Sequence, residues 1–150
     1  MEFTGEFTVT ATPEQIWTVI TDPEDLEECI PGAESIERVD DDTYTGTITR
    51  SVAGFTLSFN GEVKLTEQDP YDRMAATVSA GDNSAGTWTK VSAEMAIDLV
   101  SEGDETTLSY TVTADVKGKL ASLGSSLVKP KVKADIEEYF AAVEERARQA

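Results

Sequence analysis

The stretch Thr106–Val143, TTLSYTVTADVKGKLASLGSSLVKPKVKADIEEYFAAV, changes period in its middle, and that change decides the fold. Up to Lys117 the apolar residues alternate, so Leu108, Tyr110, Val112, Ala114 and Val116 share one face of a strand. After Gly118 they recur at helical spacing: Leu120, Leu123, Leu127, Val128, Val132, Ile136, Phe140 and Val143. A half-buried strand therefore runs directly into a long amphipathic helix. Read without interruption to Arg148, that helix would be ~45 Å long, whereas a domain of this size has a radius of gyration of only ~15 Å. Pro130 lacks an amide donor and crowds the preceding turn, so it is expected to kink or break the helix near Val128–Lys129.

Upstream of this stretch the period is two almost throughout. Strands are expected over Glu34–Asp40, Thr43–Val52, Phe55–Glu67, Arg73–Ala80, Thr87–Val100 and Thr106–Lys117. Gly54, Asp69-Pro70, Gly81-Asp82-Asn83 and Gly103-Asp104 punctuate them as hairpin turns. In the third, Phe55, Leu57, Phe59, Val63 and Leu65 face one way and Thr56, Ser58, Asn60, Glu62 and Lys64 the other. In the fifth, Val91, Ala93, Met95, Ile97 and Leu99 agree but Trp88 has the wrong parity. A bulge near Thr89 and an exposed Trp88 each account for that.

The N-terminus supplies one more strand, Met1–Ala11, with Phe3, Phe7, Val9 and Ala11 on one face. Thr12-Pro13-Glu14-Gln15 then opens a short helix through a capping box with proline at the first helical position. Ile16, Trp17 and Ile20 form its buried stripe. Asp22-Pro23-Glu24-Asp25 repeats the signal for a second short helix that buries Leu26 and Ile30. Pro31-Gly32 closes it as a type II turn. One strand, two short helices, six strands and a long helix make an α+β domain spanning 1–150. The only large apolar surface left to cover the sheet is the C-terminal helix. A long twisted antiparallel sheet curls around such a helix and leaves a gap at one end.

Composition narrows the chemistry. The chain has no histidine, which removes the usual general base and the commonest metal ligand, and a single cysteine, which excludes an internal disulfide or a thiolate zinc site. No catalytic or metal-binding set is expected. A net charge of −17 repels nucleic acid. Such charge suits either an acidic partner surface or solubility in a high-salt cytoplasm. The acids are scattered over many elements rather than gathered in one patch, which favours high salt. No apolar run is long enough to span a membrane, and Met1–Thr10 alternates like a strand rather than like a secretory signal. The expected location is cytoplasmic.

The junction words carry a resemblance. Ala11-Thr12-Pro13-Glu14 into Trp17, then Asp22-Pro23-Glu24-Asp25-Leu26 through Cys29-Ile30-Pro31-Gly32-Ala33, resembles the carbon monoxide dehydrogenase G-subunit (CoxG) family. Phe59-Asn60-Gly61-Glu62-Val63 and Gly118-Lys119-Leu120-Ala121-Ser122-Leu123-Gly124 are similar to the same family, so the likeness covers nearly the whole chain. It implies a START-like (SRPBCC) helix-grip fold with an apolar cavity between sheet and helix. It also implies service to a molybdenum hydroxylase, such as aerobic carbon monoxide dehydrogenase, and to its link with the membrane and quinones. Some members carry a C-terminal membrane-anchoring extension. With none after Arg148 here, membrane contact is expected to be peripheral or made by a partner.

Within that frame Arg50, Leu57, Phe59, Met74, Met95, Tyr110, Leu120, Leu123 and Leu127 are the candidate ligand-binding residues, with Phe55 a core position beside them. An arginine at a strand end ordinarily reaches solvent. If turned inward, Arg50 would donate to a carbonyl or carboxylate on an otherwise apolar ligand. Lys117, Lys119, Lys129, Lys131 and Lys133 form a cluster at odds with the acidic chain. Either they decorate an exposed helix face, or they meet anionic lipid headgroups or an acidic partner. Cys29 has no histidine to activate it and is read as a small buried hydrophobe. The leading expectation is a non-catalytic carrier for a hydrophobic small molecule such as a quinone, with no resident cofactor. A docking or maturation factor is the alternative, and a cyclase-like enzyme on the same scaffold a weaker one.

If the acidic surface is a high-salt adaptation, thermal melts should rise from low salt into molar potassium chloride as carboxylate repulsion is screened. Melting temperatures that stay flat or fall would count against it.

Overall fold

A computed structural model describes residues 1–52, 54–82 and 88–149, apart from the side chains of Val52 and Phe55. The expected strand start at Thr87, Asn83 of the turn before it and the Phe55 core position lie outside the described residues. The elements run β1 (Glu2–Val9), α1 (Pro13–Thr21), α2 (Pro23–Cys29), β2 (Ala33–Arg38), β3 (Thr43–Val52), β4 (Phe55–Asp69) and β5 (Arg73–Asp82). They continue with β6 (Thr89–Glu102), β7 (Glu105–Gly118), α3 (Lys119–Ser122) and α4 (Ser125–Gln149). The strands form one seven-stranded sheet in the order β1-β7-β6-β5-β4-β3-β2, each neighbouring pair antiparallel. The α+β layout, curved sheet, long C-terminal helix and short helices after the first strand are those expected from the sequence.

Both short helices start as their sequences dictate. Thr12 Oγ1 accepts from the Gln15 amide at 3.2 Å while Gln15 Oε1 accepts from the Thr12 amide at 2.9 Å, a closed capping box. Asp22 Oδ2 caps α2 by accepting from the Asp25 amide at 2.9 Å. Because β1 and β2 are opposite edges of the sheet, α1 and α2 carry the chain across its full width. The Tyr44 hydroxyl ties this crossing to β3 by donating to the Thr21 carbonyl at 2.6 Å. On the β7 side, buried Thr106 donates to the Ala11 carbonyl at 2.7 Å.

The main core lies at this end, between the sheet, α1 and the second half of α4. Its centre is aromatic. Tyr110 stacks on Phe140 with centroids 4.9 Å apart, and Phe7 lies 5.6 Å from Phe140. Gly5 makes room for the stack, since a Cβ there would stand 2.5 Å from the Tyr110 ring. A smaller cluster of Leu57, Leu120 and Val128 closes the other end.

Two sequence expectations need correction. The helical region does divide, but at Leu123–Gly124, not at Pro130: α3 ends there, Gly124 has φ +86°, and α4 runs through Pro130 without interruption. Pro130 lies early in α4, where it deletes only one amide donor, while a positive-φ glycine reverses the backbone outright. At 25 residues α4 is ~37 Å long, which fits along the sheet. The shift also turns Leu127 outward, to 55% exposure, so it is not on the inner face. Trp88 precedes β6 and is 57% exposed, while pairing is unbroken from Thr89, so exposure rather than a bulge explains its parity.

Two glycines at this junction predict different sensitivities. Gly124 opens onto free space, so Gly124→Ala should cost only its backbone strain, ~1–2 kcal/mol. Gly118 has φ 87° and ψ −146°, and a Cβ there would sit 2.2 Å from the Trp88 carbonyl oxygen, so Gly118→Ala should cost clearly more. Urea denaturation of both variants checks this; equal losses would show that the β7–α3 junction yields readily.

Candidate functional site

Strand register, rather than any motif, assembles the candidate site. On the concave face, which looks at α4, three lateral rows cross the middle of the sheet. They are Gly61–Ala80–Val91–Val116, Val63–Val78–Ala93–Ala114 and Leu65–Ala76–Met95–Val112. Small residues dominate them, so side chains reaching down from α4 do not fill the space. The consequence is visible in burial. Val63, Val78, Ala80, Val91, Ala93, Met95, Val112 and Val116 face inward yet stay half-buried, as do Ile48 and Phe59 beside them. Further along the same face Met74, Ile97, Leu99, Leu108 and Tyr110 are fully buried. An apolar surface open to water thus lies beneath α4 between two closed clusters, and it suits an apolar ligand.

One flank of α4 is fastened over this space by ion pairs. Arg50 Nε donates to Asp135 Oδ2 at 3.1 Å and its Nη2 to Asp135 Oδ1, joining β3 to the helix. Arg146 Nε donates to Asp25 Oδ1 at 2.9 Å, joining α2 to the helix three turns later. Paired bonds from a guanidinium fix orientation as well as distance. Lys131 adds a third charge, 3.6 Å from Asp135.

The nine candidate ligand residues separate by location. Phe59, Met95 and Leu123 are half-buried, Met95 packed against the main core and Phe59 and Leu123 against the far cluster. Leu57 and Leu120 are buried in the cluster that closes its far end, while Met74 and Tyr110 belong to the main core. Arg50 does not reach into the space as a free donor, because Asp135 takes two of its nitrogens. Leu127 lies outside on the surface. Missed by sequence reasoning were Val63, Val78, Ala80, Val91, Ala93 and Val112. Their parity was legible, but which small residues lie side by side depends on the register of four strands.

Reactive groups are scarce. Cys29 is buried, and its thiol is pushed up to about 11, chiefly by burial, with Arg146 opposing and Asp25 and Glu28 adding to the rise. It therefore stays protonated at neutral pH, poorly suited to nucleophilic attack. Among the described residues no group of three His, Cys, Asp or Glu side chains could hold a metal. A depression of about 490 Å³ on the opposite face of the sheet is lined by Ser35, Glu37, Thr45, Thr47, Asn60, Glu62 and Ser79. It is open and polar, with nothing to grip an apolar molecule.

The lysines gather at the α3 end. Lys117 and Lys119 flank Gly118, and Lys90 lies directly across from Lys117, so it joins the cluster although sequence distance set it apart. Lys129, Lys131 and Lys133 follow on α4, with the Lys129 ammonium 6.0 Å from the Phe3 ring centroid. Exposed Trp88 and Leu127 lie at the same end. No helix among the described residues is long and apolar enough to cross a membrane.

Comparison with solved structures places this geometry among known folds. A conserved protein of Geobacillus kaustophilus superposes with a TM-score of 0.90 at 25% identity, over 99% of this chain and 96% of that one. A protein of Thermus thermophilus gives 0.71 at 18% identity, over 99% and 98%. Ara h 8.0201 gives 0.68 at 23% identity, over 100% and 99%. The neighbours share the Bet v1-like helix-grip fold. No curated protein matches the sequence. The model of the carbon monoxide dehydrogenase G-subunit (CoxG) family matches residues 5–148, and the chain belongs to that family.

Proposed function

We propose that the protein is a non-catalytic carrier that holds a hydrophobic small molecule, a quinone by preference, between the sheet and α4. The observation that carries this reading is the set of inward-facing apolar residues left half-open beneath the helix. Burying such a surface under a ligand releases the water over it at roughly 25 cal/mol per Å². Family membership supports the further step that the cargo serves a molybdenum hydroxylase of the carbon monoxide dehydrogenase type, as redox shuttle or delivery partner. The lack of histidine and the protonated Cys29 thiol favour carriage over catalysis.

A second reading, a docking or maturation factor for that enzyme, has one observation in its favour. Six of the seven lysines, with Trp88 and Leu127, gather at the α3 end of a chain whose net charge is −17. In our reading this end meets the hydroxylase or the membrane surface, and the cargo enters or leaves nearby.

Native mass spectrometry of protein purified from its own cells tests the carrier. We expect an isoprenoid quinone adduct that Ala93→Phe removes while the melting temperature stays close to that of the parent, because the ring enters open space. A ring forced into a filled core would cost ~1–3 kcal/mol instead. A clean apo protein that captures hydroxylase subunits would favour the docking reading.

Membrane contact has its own test. Each lysine near an anionic surface contributes ~1 kcal/mol at ordinary ionic strength, but screening shortens its reach to ~3 Å at 1 M salt. The isolated protein should therefore not float with anionic vesicles at molar potassium chloride. Robust flotation that disappears when Lys129, Lys131 and Lys133 are changed to Glu would assign the membrane role to the lysines themselves.

A further inference from the structure

The half-open floor has two ends, and they are closed in different ways. At the α1 end the rings of Phe7, Tyr110 and Phe140 pack together between sheet and helix. At the α3 end the sheet itself is incomplete. β5 stops at Asp82, opposite Thr89, while β4 reaches back to Phe55. From Asn60 toward Phe55, β4 therefore has no β5 residue paired beside it among the described residues. The Ser58 amide on that stretch donates instead to buried Asp82 Oδ2, at 2.9 Å. Across the resulting seam, Leu57 of β4 meets Leu120 of α3 and Val128 of α4 in one buried cluster.

The α3 side of this closure is slight. Its four residues are joined by short-range bonds, from the Leu123 amide to the Leu120 carbonyl at 3.2 Å and from Gly124 to Ala121 at 3.1 Å. A helix of this length has no stability of its own, so packing must hold it in place. Leu120 is its buried side chain, while Ala121 and Ser122 are exposed. Its first two amides reach the start of β6, Lys119 donating to the Trp88 carbonyl at 2.9 Å and Leu120 to Thr89 Oγ1 at 3.3 Å. On either side stands a glycine in the left-handed region, Gly118 with φ 87° and Gly124 with φ 86°. Glycine populates both halves of φ about equally, so each position can take another conformation at little steric cost. A segment bounded by two such positions and seated by Leu120 can open locally while the sheet and α4 stay in place.

We infer that α3 is the lid of the site, that Leu120 is its latch, and that the cargo passes through the seam between Leu57 and α3. This rests on the carrier reading and adds the route to it. The floor leads straight to the seam, because Val116 ends the Gly61–Ala80–Val91 row and packs, with Phe59, against the Leu57–Leu120–Val128 cluster. The competing route, between β3 and α4, is crossed by the Arg50–Asp135 pair.

Stopped-flow fluorescence of diphenylhexatriene, which brightens in apolar surroundings, reads uptake and release in the full chain. Leu120→Ala removes the latch. Gly124→Ala leaves the packing intact and strains only the closed lid, so the test stands even where the first variant folds poorly. Both variants should speed uptake and release together, by about tenfold for Gly124→Ala, with the dissociation constant little changed. Rates that stay at the parent's values in both variants, or that rise only in Asp135→Asn, which loosens the β3 flank, would overturn the lid while the carrier reading stood. If the parent protein takes up no probe, the carrier reading fails and the lid with it.

Discussion

One helix has to cover one face of a seven-stranded sheet, and it is too narrow to do so. Seven strands spaced ~4.8 Å apart span about 30 Å, and a helix with its side chains is only ~10–12 Å wide. The remaining area must be buried by curling the sheet, by other elements or by large side chains. Each device appears, but only toward the ends. The crossing of α1 and α2 and the Phe7–Tyr110–Phe140 stack close one end. The Leu57–Leu120–Val128 cluster closes the other. Between them the floor is mostly glycine, alanine and valine, and much of it stays only half-buried. The open apolar surface follows from this geometry and needs no separate device to create it.

Two consequences bear on function. A helix resting on two closed ends, with small residues under its middle, gains little from direct packing there, so its lateral position is set elsewhere. The Arg50–Asp135 and Arg146–Asp25 pairs serve that purpose, joining β3 and α2 to the same flank of α4. Both are partly exposed, so they act more as orienting contacts than as large sources of stability. They also engage Arg50 and Arg146, so neither is a free donor on that flank of α4.

The charge distribution is equally lopsided. Acidic residues are spread over the sheet's outer face and the exposed flanks of helices, whereas six of the seven lysines sit around α3 beside Trp88 and Leu127. In dilute buffer such segregation would produce a strong dipole. In concentrated salt only contacts within a few ångströms survive screening. An interface at that end would then depend on the shape and apolar area of Trp88 and Leu127 more than on long-range attraction.

Much of this protein could be read from its sequence because local physics is strong where it was used. Period two against period 3.6 separated the strands from the long helix, the Thr12–Gln15 box and Asp22 placed the short helices, and alternation told inside from outside along each strand. Junction residues such as Cys29-Ile30-Pro31-Gly32 pointed to the family. What sequence alone could not decide was lateral. Parity along Phe55–Leu65 shows that Phe59 and Val63 face inward, but not that Val63 lies beside Val78 and Ala93, because register is a relation between strands. The helix break was mislocated for a related reason. Pro130 is a conspicuous breaker in sequence, yet the break falls at Gly124, whose positive φ separates α3 from α4. Leu127 went with it from the inner face to the surface.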